Sequence, residues 1–216
     1  GSGGLVFHVM NRGVRRLRLF EQAADYRCWL RSFQAAQDRV GVEVFAYCVM
    51  PNHFHLVVRP AKDADLADFL RLATGTHSKR WHENRGSVGT GAVYQGRYRA
   101  FAVQTEGYFW TVCRYVEANP LRSGLVQDAR DWPWSSAAGP VRNRQALRLS
   151  EWPIWKPPHW IELVNECLPD PDLHRLRTCA RRGSPLGESA WTKRTAHSLG
   201  LQATLRPTGR PRRNVA

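Results

Sequence analysis

The sequence predicts an α+β protein: a ferredoxin-like split βαβ antiparallel sheet with an added C-terminal helical, basic region. Three observations predict it. Apolar runs and amphipathic stretches follow the order β-α-β-β-α-β-α over residues 5–118, which is the split βαβ order plus one further helix. The two central apolar runs are separated only by Met50-Pro51-Asn52, so they pair as an antiparallel hairpin. Beyond residue 140 the chain turns to Pro, Trp and Arg, with only short helical stretches.

The elements follow in chain order. Leu5–Met10 is a short apolar strand running into Asn11-Arg12-Gly13. Gln22 to about Arg39 has helical spacing, with Cys28, Trp29, Phe33 and Ala36 on one face, and Gly41 ends it. Val42–Val49 and His53–Arg59 are the hairpin strands. Asp65 to about Trp81 is a second amphipathic helix, with Leu66, Phe69, Leu70 and Ala73 on one side. Gly86–Gly91 is a glycine-rich loop. Ala92–Gln104 reads as a β-ribbon or strand. Thr105 to about Ala118 is a third helix with Thr105 as a candidate N-cap, ended by Asn119-Pro120. In this topology the histidine-bearing strand is central and the helices lie on one face of the sheet.

Three segments follow: a domain over residues 1–140, a helical accessory region over 141–204, and a basic, flexible tail over 205–216. In the middle segment Ile161–Leu168, Leu173–Arg181 and Gly187–Leu199 are the helical stretches. The tail carries Arg206, Arg210, Arg212 and Arg213 among prolines, a composition that cannot build a core.

Composition narrows the function. The formal net charge is +14 with a pI near 10.5, which favours a polyanionic partner, most often nucleic acid. The charge is uneven: residues 1–140 hold 18 Lys+Arg and 12 Asp+Glu, net +6, and residues 141–216 hold 14 and 6, net +8. Only four of the 32 basic residues are Lys. Arg binds phosphate bidentately, reads guanine edges and stacks on bases. The five cysteines are scattered with no Cys-x-x-Cys pair, which argues against a zinc finger and for free thiols in a reducing cytoplasm. No apolar run reaches membrane-spanning length, and no secretory signal precedes the first strand.

His53-Phe54-His55 is the motif richest in chemistry. Residues i and i+2 of a strand face one side, so both imidazoles project together while Phe54 enters the core. Neutral imidazole suits first-row divalent metals. The same pattern, taken alone, also fits two hydrogen-bonded core histidines. Tyr115 and Asn119 lie four apart on the third helix and share a face. If that helix packs beside the histidine strand, a phenol and an amide oxygen face the metal. Two imidazoles and an Asn oxygen leave positions open for a phosphate oxygen and water, so a bound metal can polarise a phosphodiester for attack by the tyrosine. Tyr108, seven residues before Tyr115, is the rival nucleophile on a similar face.

Phe7-His-Val-Met-Asn-Arg-Gly13, Met50-Pro-Asn-His-Phe-His55, Tyr94-Gln-Gly-Arg-Tyr98, Arg114-Tyr-Val-Glu-Ala-Asn-Pro-Leu-Arg-Ser-Gly-Leu-Val126 and Trp132-Pro-Trp-Ser-Ser136 occur in that order. Together they resemble the REP-associated tyrosine transposases, relatives of the single-tyrosine HUH transposases. The likeness runs from about residue 4 to 138. Gly183-Ser-Pro-Leu-Gly187, Trp191 and Thr204-Leu-Arg-Pro-Thr-Gly-Arg-Pro-Arg212 also resemble tails of that family. The resemblance implies a single-strand DNA endonuclease and strand-transferase with an HUH core that cleaves and rejoins hairpin-forming repeat DNA. By the same resemblance, His53 and His55 are metal ligands, Asn119 the third ligand and Tyr115 the nucleophile. It implies a 5′-phosphotyrosine with a free 3′-OH. Mg²⁺ or Mn²⁺ is the expected cofactor, and a cytoplasmic, nucleoid-associated bacterial protein, monomer or homodimer, is the expected context. A catalytically silent binder of the same hairpin is the alternative, and a His-x-His hydrolase of small molecules a third reading.

The expected DNA contacts are Asn11 and Arg12 after the first strand, His77, Lys79 and Arg80 near the end of the second helix, and Gln95, Arg97, Tyr98 and Arg99 in the ribbon. Arg206, Arg210, Arg212 and Arg213 complete the set. Gly209-Arg-Pro-Arg212 resembles a minor-groove arm.

Overall fold

The computed structural model describes residues 1–139 and 147–206. Strands β1 (Val6–Arg12), β2 (Val42–Met50), β3 (His53–Pro60) and β4 (Arg99–Val103) form one antiparallel sheet in the order β2-β3-β1-β4. The histidine strand β3 is therefore interior, as its apolar run predicts. The principal helices of this region are α1 (Ala23–Gln37), α2 (Asp65–Arg85) and α3 (Thr105–Glu117), with a one-turn α4 (Asn119–Arg122) directly after α3.

The helices do not share one face. Phe7, Val9, Tyr47, Val49, Phe54 and Leu56 point to one side of the sheet and pack against Trp29, Phe33 and Phe69 of α1 and α2. Val6, Cys48, Met50, Val57 and Phe101 point to the other, against Phe109, Val112 and Val116 of α3. The alternation along β2 changes phase at a bulge between Val44 and Ala46. The extra residue places Phe45 and Ala46 in the same layer of core, so that Tyr47 and Val49 regain the α1–α2 side. By that parity His8, Met10, Arg12, His53 and His55 all lie on the α3 side.

Local chemistry explains the helix ends. Asp25 accepts hydrogen bonds from the Glu21 and Gln22 amides at the start of α1 and an ion pair from Arg85, whose guanidinium also covers the Trp81 ring at 4.4 Å. Thr105 is not the N-cap of α3. Glu106 and Gly107 leave helical geometry, Gly107 at φ 82°, and the regular turns begin at Tyr108. The stretch before β4 is not a continuous ribbon either. Tyr94 makes one bridge to Gly13, and only Arg99–Val103 joins the sheet.

Segment Trp132–Ser136 lies along the outer edge of β2. Val49 donates to the Trp134 carbonyl, and the Trp132 indole donates to the Val49 carbonyl. Glu117, at the end of α3, binds this segment and the next: it accepts from Ser136 Oγ at 2.5 Å and from Trp160 Nε1 at 2.6 Å. Helices α5 (Trp160–Asn165) and α6 (Asp170–Arg182) then pack on the α3 side through Trp160, Val164, Leu176 and Cys179. After α6, Leu186 bridges Val103 at the free edge of β4, so the Gly183–Gly187 motif closes the sheet. A Cβ on Gly187 would sit 2.4 Å from the Trp191 ring, which is why glycine stands there. Helix α7 (Ser189–Ser198) follows. All five cysteines are free, and no helix among the described residues is long and apolar enough to cross a membrane.

Candidate active site

The site sits where α3 crosses the sheet. His55 is 2% exposed and its Nδ1 lies 2.9 Å from Nε2 of His8, a neighbour on β1 that is 1% exposed. Their rings stack at 5.0 Å, and the His53 ring stands edge-on to His55 at 5.0 Å. Tyr115 projects from α3 against them, its ring 5.9 Å from both His8 and His55 and edge-on to each. Arg122, on α4, covers the Tyr115 ring with its guanidinium at 4.2 Å and donates to the Tyr115 carbonyl at 2.7 Å. Helix α3 ends just after Tyr115, and the immediate α4 turn folds Arg122 back over it.

The rival tyrosine is elsewhere. Tyr108 accepts a hydrogen bond from Arg175 of α6 at 3.0 Å, and that guanidinium lies over its ring. Of the two, Tyr115 stands at the imidazoles. Asn119 is buried and spends its Nδ2 on the Tyr115 and Val116 carbonyls, which closes α3 and leaves Oδ1 as its ligand-competent atom.

Electrostatics keep the imidazoles neutral. Burial and then the Arg122 charge push His8 down to about 3. Burial, then Arg12 and Arg122, push His53 down to about 4. Burial, followed by the neighbouring His53, His8 and two arginines, holds His55 well below its ordinary value. Neutral imidazole is the form that binds a metal. The Asn52 Oδ1 contact at 2.7 Å can only accept, so His53 carries its proton on Nδ1 and presents a bare Nε2. These donors fit a divalent cation. No group of three His, Cys, Asp or Glu side chains with metal-binding geometry occurs among the described residues, so an ion at the histidines would need an amide oxygen, water or substrate as its further ligands.

These buried imidazoles predict an acid response. Unfolded histidine takes up its proton below about pH 6.5, while folded His8, and His77 with its pKa near 3, do not. The unfolded state then binds more protons, so stability is complete above pH 6.5 and is lost as pH falls toward 3. Urea unfolding at pH 7 and pH 5 is expected to show a loss of roughly 1.4 kcal/mol per pH unit for each of these two residues. Equal midpoints at the two pH values would contradict the neutral assignment.

At the end of β1 a cavity of about 470 Å³ is lined by Met10, Asn11, Arg12, Arg15, Arg16, Gln95, Arg97 and Arg99. Arg12 pairs with His53 across β1 and β3, and its Nε is buried with no hydrogen-bond partner among the described residues. Arg15 and Arg16 are non-glycine residues in the left-handed region, at φ 49° and 62°, which costs roughly 1–3 kcal/mol each. Sequence reasoning missed both, although the Gly13-Val-Arg-Arg turn marks the place. It also missed His8 and Arg122.

His77 is a correction. It is 1% exposed and its Nδ1 meets the Tyr94 hydroxyl at 2.8 Å, so it is a core histidine beneath the α2–ribbon contact and does not face DNA. Its neighbours Lys79 and Arg80 are exposed, Lys79 lining a groove between α2 and the 91–96 loop. Asn11 is buried, accepting from the Arg12 amide and donating to the Gly96 carbonyl. Gln95, Arg97 and Arg99 are exposed, and Tyr98 is half-buried against the core. Arg206 is exposed, its carbonyl bonded by Arg182. Arg210, Arg212 and Arg213 lie outside the described residues.

A tyrosine on a helix thus faces a His-x-His strand of a ferredoxin-like sheet. The family model described as Transposase IS200 like matches residues 3–119, more than half of the chain. The chain belongs to that family and is a transposase of the single-tyrosine type. Among individual relatives, an Escherichia coli K12 REP-associated tyrosine transposase is 24% identical over 140 residues, covering 62% of this chain and 77% of its own. A Haemophilus influenzae protein, provisionally named a REP-associated tyrosine transposase, is 25% identical over 146 residues, covering 62% and 80%. A solved REP-associated tyrosine transposase bound to a REP hairpin shares the fold, with a TM-score of 0.53 at 21% identity, over 72% of this chain and 90% of that one.

Proposed function

We propose that this transposase cleaves and rejoins single-stranded, hairpin-forming repeat DNA through a 5′-phosphotyrosine at Tyr115, with Mg²⁺ or Mn²⁺ held by His53, His55 and the Asn119 amide oxygen. The observation that carries the reading is the placement of the Tyr115 ring against His55 with Arg122 over it. When bound, the metal supplies Lewis-acid polarisation of the scissile phosphate. His53 and His55, with the Asn119 amide oxygen, would hold it beside Tyr115. Tyr115 Oη loses its proton to solvent as it forms the new bond to phosphorus, the bond to the 3′-oxygen breaks, and that oxygen takes up a proton from solvent and leaves as a 3′-OH, so no net proton is gained or lost. The new ester retains the phosphodiester bond energy, so the reverse attack by a 3′-OH rejoins strands without ATP. Arg122 holds the tyrosine and places a positive charge beside the developing phenolate. Hairpin repeats as substrate are supported by the relatives named for REP association and by the REP hairpin held in the solved neighbour.

In this reading the arginine-lined cavity takes the strand leading to the scissile phosphate. Arg12, Arg15, Arg16, Arg97 and Arg99 supply phosphate and guanine contacts, and Asn11 and Gln95 shape the wall. Lys79 and Arg80, the 141–204 region, and Arg206 with Arg210, Arg212 and Arg213 extend the DNA surface. The protein works in the bacterial cytoplasm at the nucleoid.

The test is incubation with a repeat hairpin and Mg²⁺ or Mn²⁺. With a 3′ label, the label is expected to migrate with the protein. With a 5′ label, a shorter free fragment ending in 3′-OH is expected. Tight binding with no adduct under either metal would leave a silent binder instead. The cavity makes its own prediction. Replacing Arg15 and Arg97 with Ala is expected to reduce the log–log salt slope of single-strand binding by about 0.7 for each phosphate no longer neutralised. An unchanged slope would remove the cavity from the DNA path.

A further inference from the structure

We propose that His8 is a positioning residue for the metal centre: it accepts a hydrogen bond from Nδ1 of His55 and so fixes the His55 tautomer that leaves Nε2 bare. The inference rests on His53 and His55 being metal ligands.

His8 Nε2 and His55 Nδ1 lie 2.9 Å apart. Two neutral imidazoles share one proton across that distance. If His8 donates, His55 carries its own proton on Nε2 and that nitrogen cannot ligate. If His55 donates, Nε2 is free. The neighbouring ligand shows which arrangement a shared ion needs. Asn52 Oδ1 can only accept, so His53 is protonated on Nδ1 and open on Nε2. For both imidazoles to offer the same nitrogen to one ion, His55 must be protonated on Nδ1 as well. The nitrogen facing it is His8 Nε2, which must then be the acceptor. Metal-binding histidines commonly donate their second N–H to a partner that sets the ring, and removal of that partner weakens binding.

The surroundings of His8 show that the bond has a purpose beyond packing. His8 is enclosed by His55, Phe101 and Tyr115, a place that suits an apolar ring. As acceptor it keeps its proton on Nδ1, and that atom is buried with no hydrogen-bond partner among the described residues. Such an arrangement lowers stability without metal, so a purely structural role is a poor account of it.

The test uses the full chain. Mn²⁺ binding is measured by titration calorimetry and by electron paramagnetic resonance for the wild type, His8→Phe, His8→Gln and His55→Ala. Melting of the metal-free proteins is followed in parallel. His8→Phe is expected to bind Mn²⁺ about tenfold to a hundredfold more weakly, with an unchanged or raised melting temperature. His8→Gln, which restores an acceptor oxygen, is expected to recover most of the affinity. Wild-type affinity in His8→Phe overturns the proposal while leaving the metal site standing. No Mn²⁺ binding by the wild type, or full binding by His55→Ala, overturns the metal site and this proposal with it. A readout needing no variant is the ¹⁵N spectrum of the histidine rings with Mg²⁺ present. The proposal requires His55 in the Nδ1–H form, and the Nε2–H form overturns it.

Discussion

Tyr115→Phe is expected to abolish the covalent protein–DNA adduct and all strand transfer, while hairpin binding stays within about threefold of wild type. The change removes one oxygen and keeps the ring that packs on His8, His55 and Arg122. Stability and DNA affinity should therefore survive. Loss of a covalent nucleophile commonly lowers turnover by on the order of 10⁴-fold or more. Tyr108→Phe is the matched control, because that hydroxyl meets Arg175 and stands away from the histidines. Its expected effect is a modest loss of stability, roughly 1 kcal/mol, from one hydrogen bond, with adduct formation intact. Denaturing gels of 3′-labelled hairpin reactions separate the two outcomes.

The second large effect is at His55. His55→Ala is expected to lower cleavage about a thousandfold or more, since metal polarisation is worth several kcal/mol at a phosphoryl centre. It should also cost stability, because His8 Nε2 is left without its partner inside a closed core, a penalty of roughly 1–3 kcal/mol. His55→Gln separates the two by restoring a polar group of similar reach: folding should recover further than cleavage. His53→Ala should lose cleavage with a smaller stability cost, its ring being only partly buried and bonded to an adjacent side chain. Cleavage by each variant across a Mn²⁺ titration is the measurement. Variants as active as wild type at equal metal would remove the histidines from the chemistry.

Much of this architecture was legible in the chain, for identifiable reasons. The β-α-β-β-α-β-α order and the interior place of β3 follow from period-2 and period-3.6 patterning, because one face of each element is buried. His53-Phe54-His55 could be placed because alternation forces the two imidazoles to one side and Phe54 to the other, where it meets Trp29 and Phe33. The parts that were not legible depend on register and on partners distant in sequence. His8 sits in an apolar strand, and only the β1–β3 pairing brings it to His55. Arg122 follows a proline, and only the α3–α4 turn returns it to Tyr115. Helices on both faces of the sheet were not foreseen because the β2 bulge hides the change of phase at Phe45.

His77 shows a different kind of error. It stands beside Lys79 and Arg80, and charge alone groups it with them. Yet Leu66, Phe69, Leu70, Ala73, His77 and Trp81 form one helical stripe, and all six are buried. The 3.6-residue phase is present in the sequence and outweighs local composition. Gln95–Arg99 errs in the opposite way. Its Tyr and Arg content suggests a ribbon, but Gly96 at φ 98° breaks the strand and turns the exposed side chains toward the cavity.

The proposed attack by Tyr115 on the scissile phosphate can be read at residue resolution. The adduct formed with a repeat hairpin and Mn²⁺ is digested with nuclease and protease, and the nucleotide-bearing peptide is sequenced by mass spectrometry. A phosphonucleotide mass is expected on Tyr115 alone, linked through the 5′-phosphate. The same mass on Tyr108 or another residue, or a linkage through the 3′-phosphate, would contradict the assignment of Tyr115 as the nucleophile.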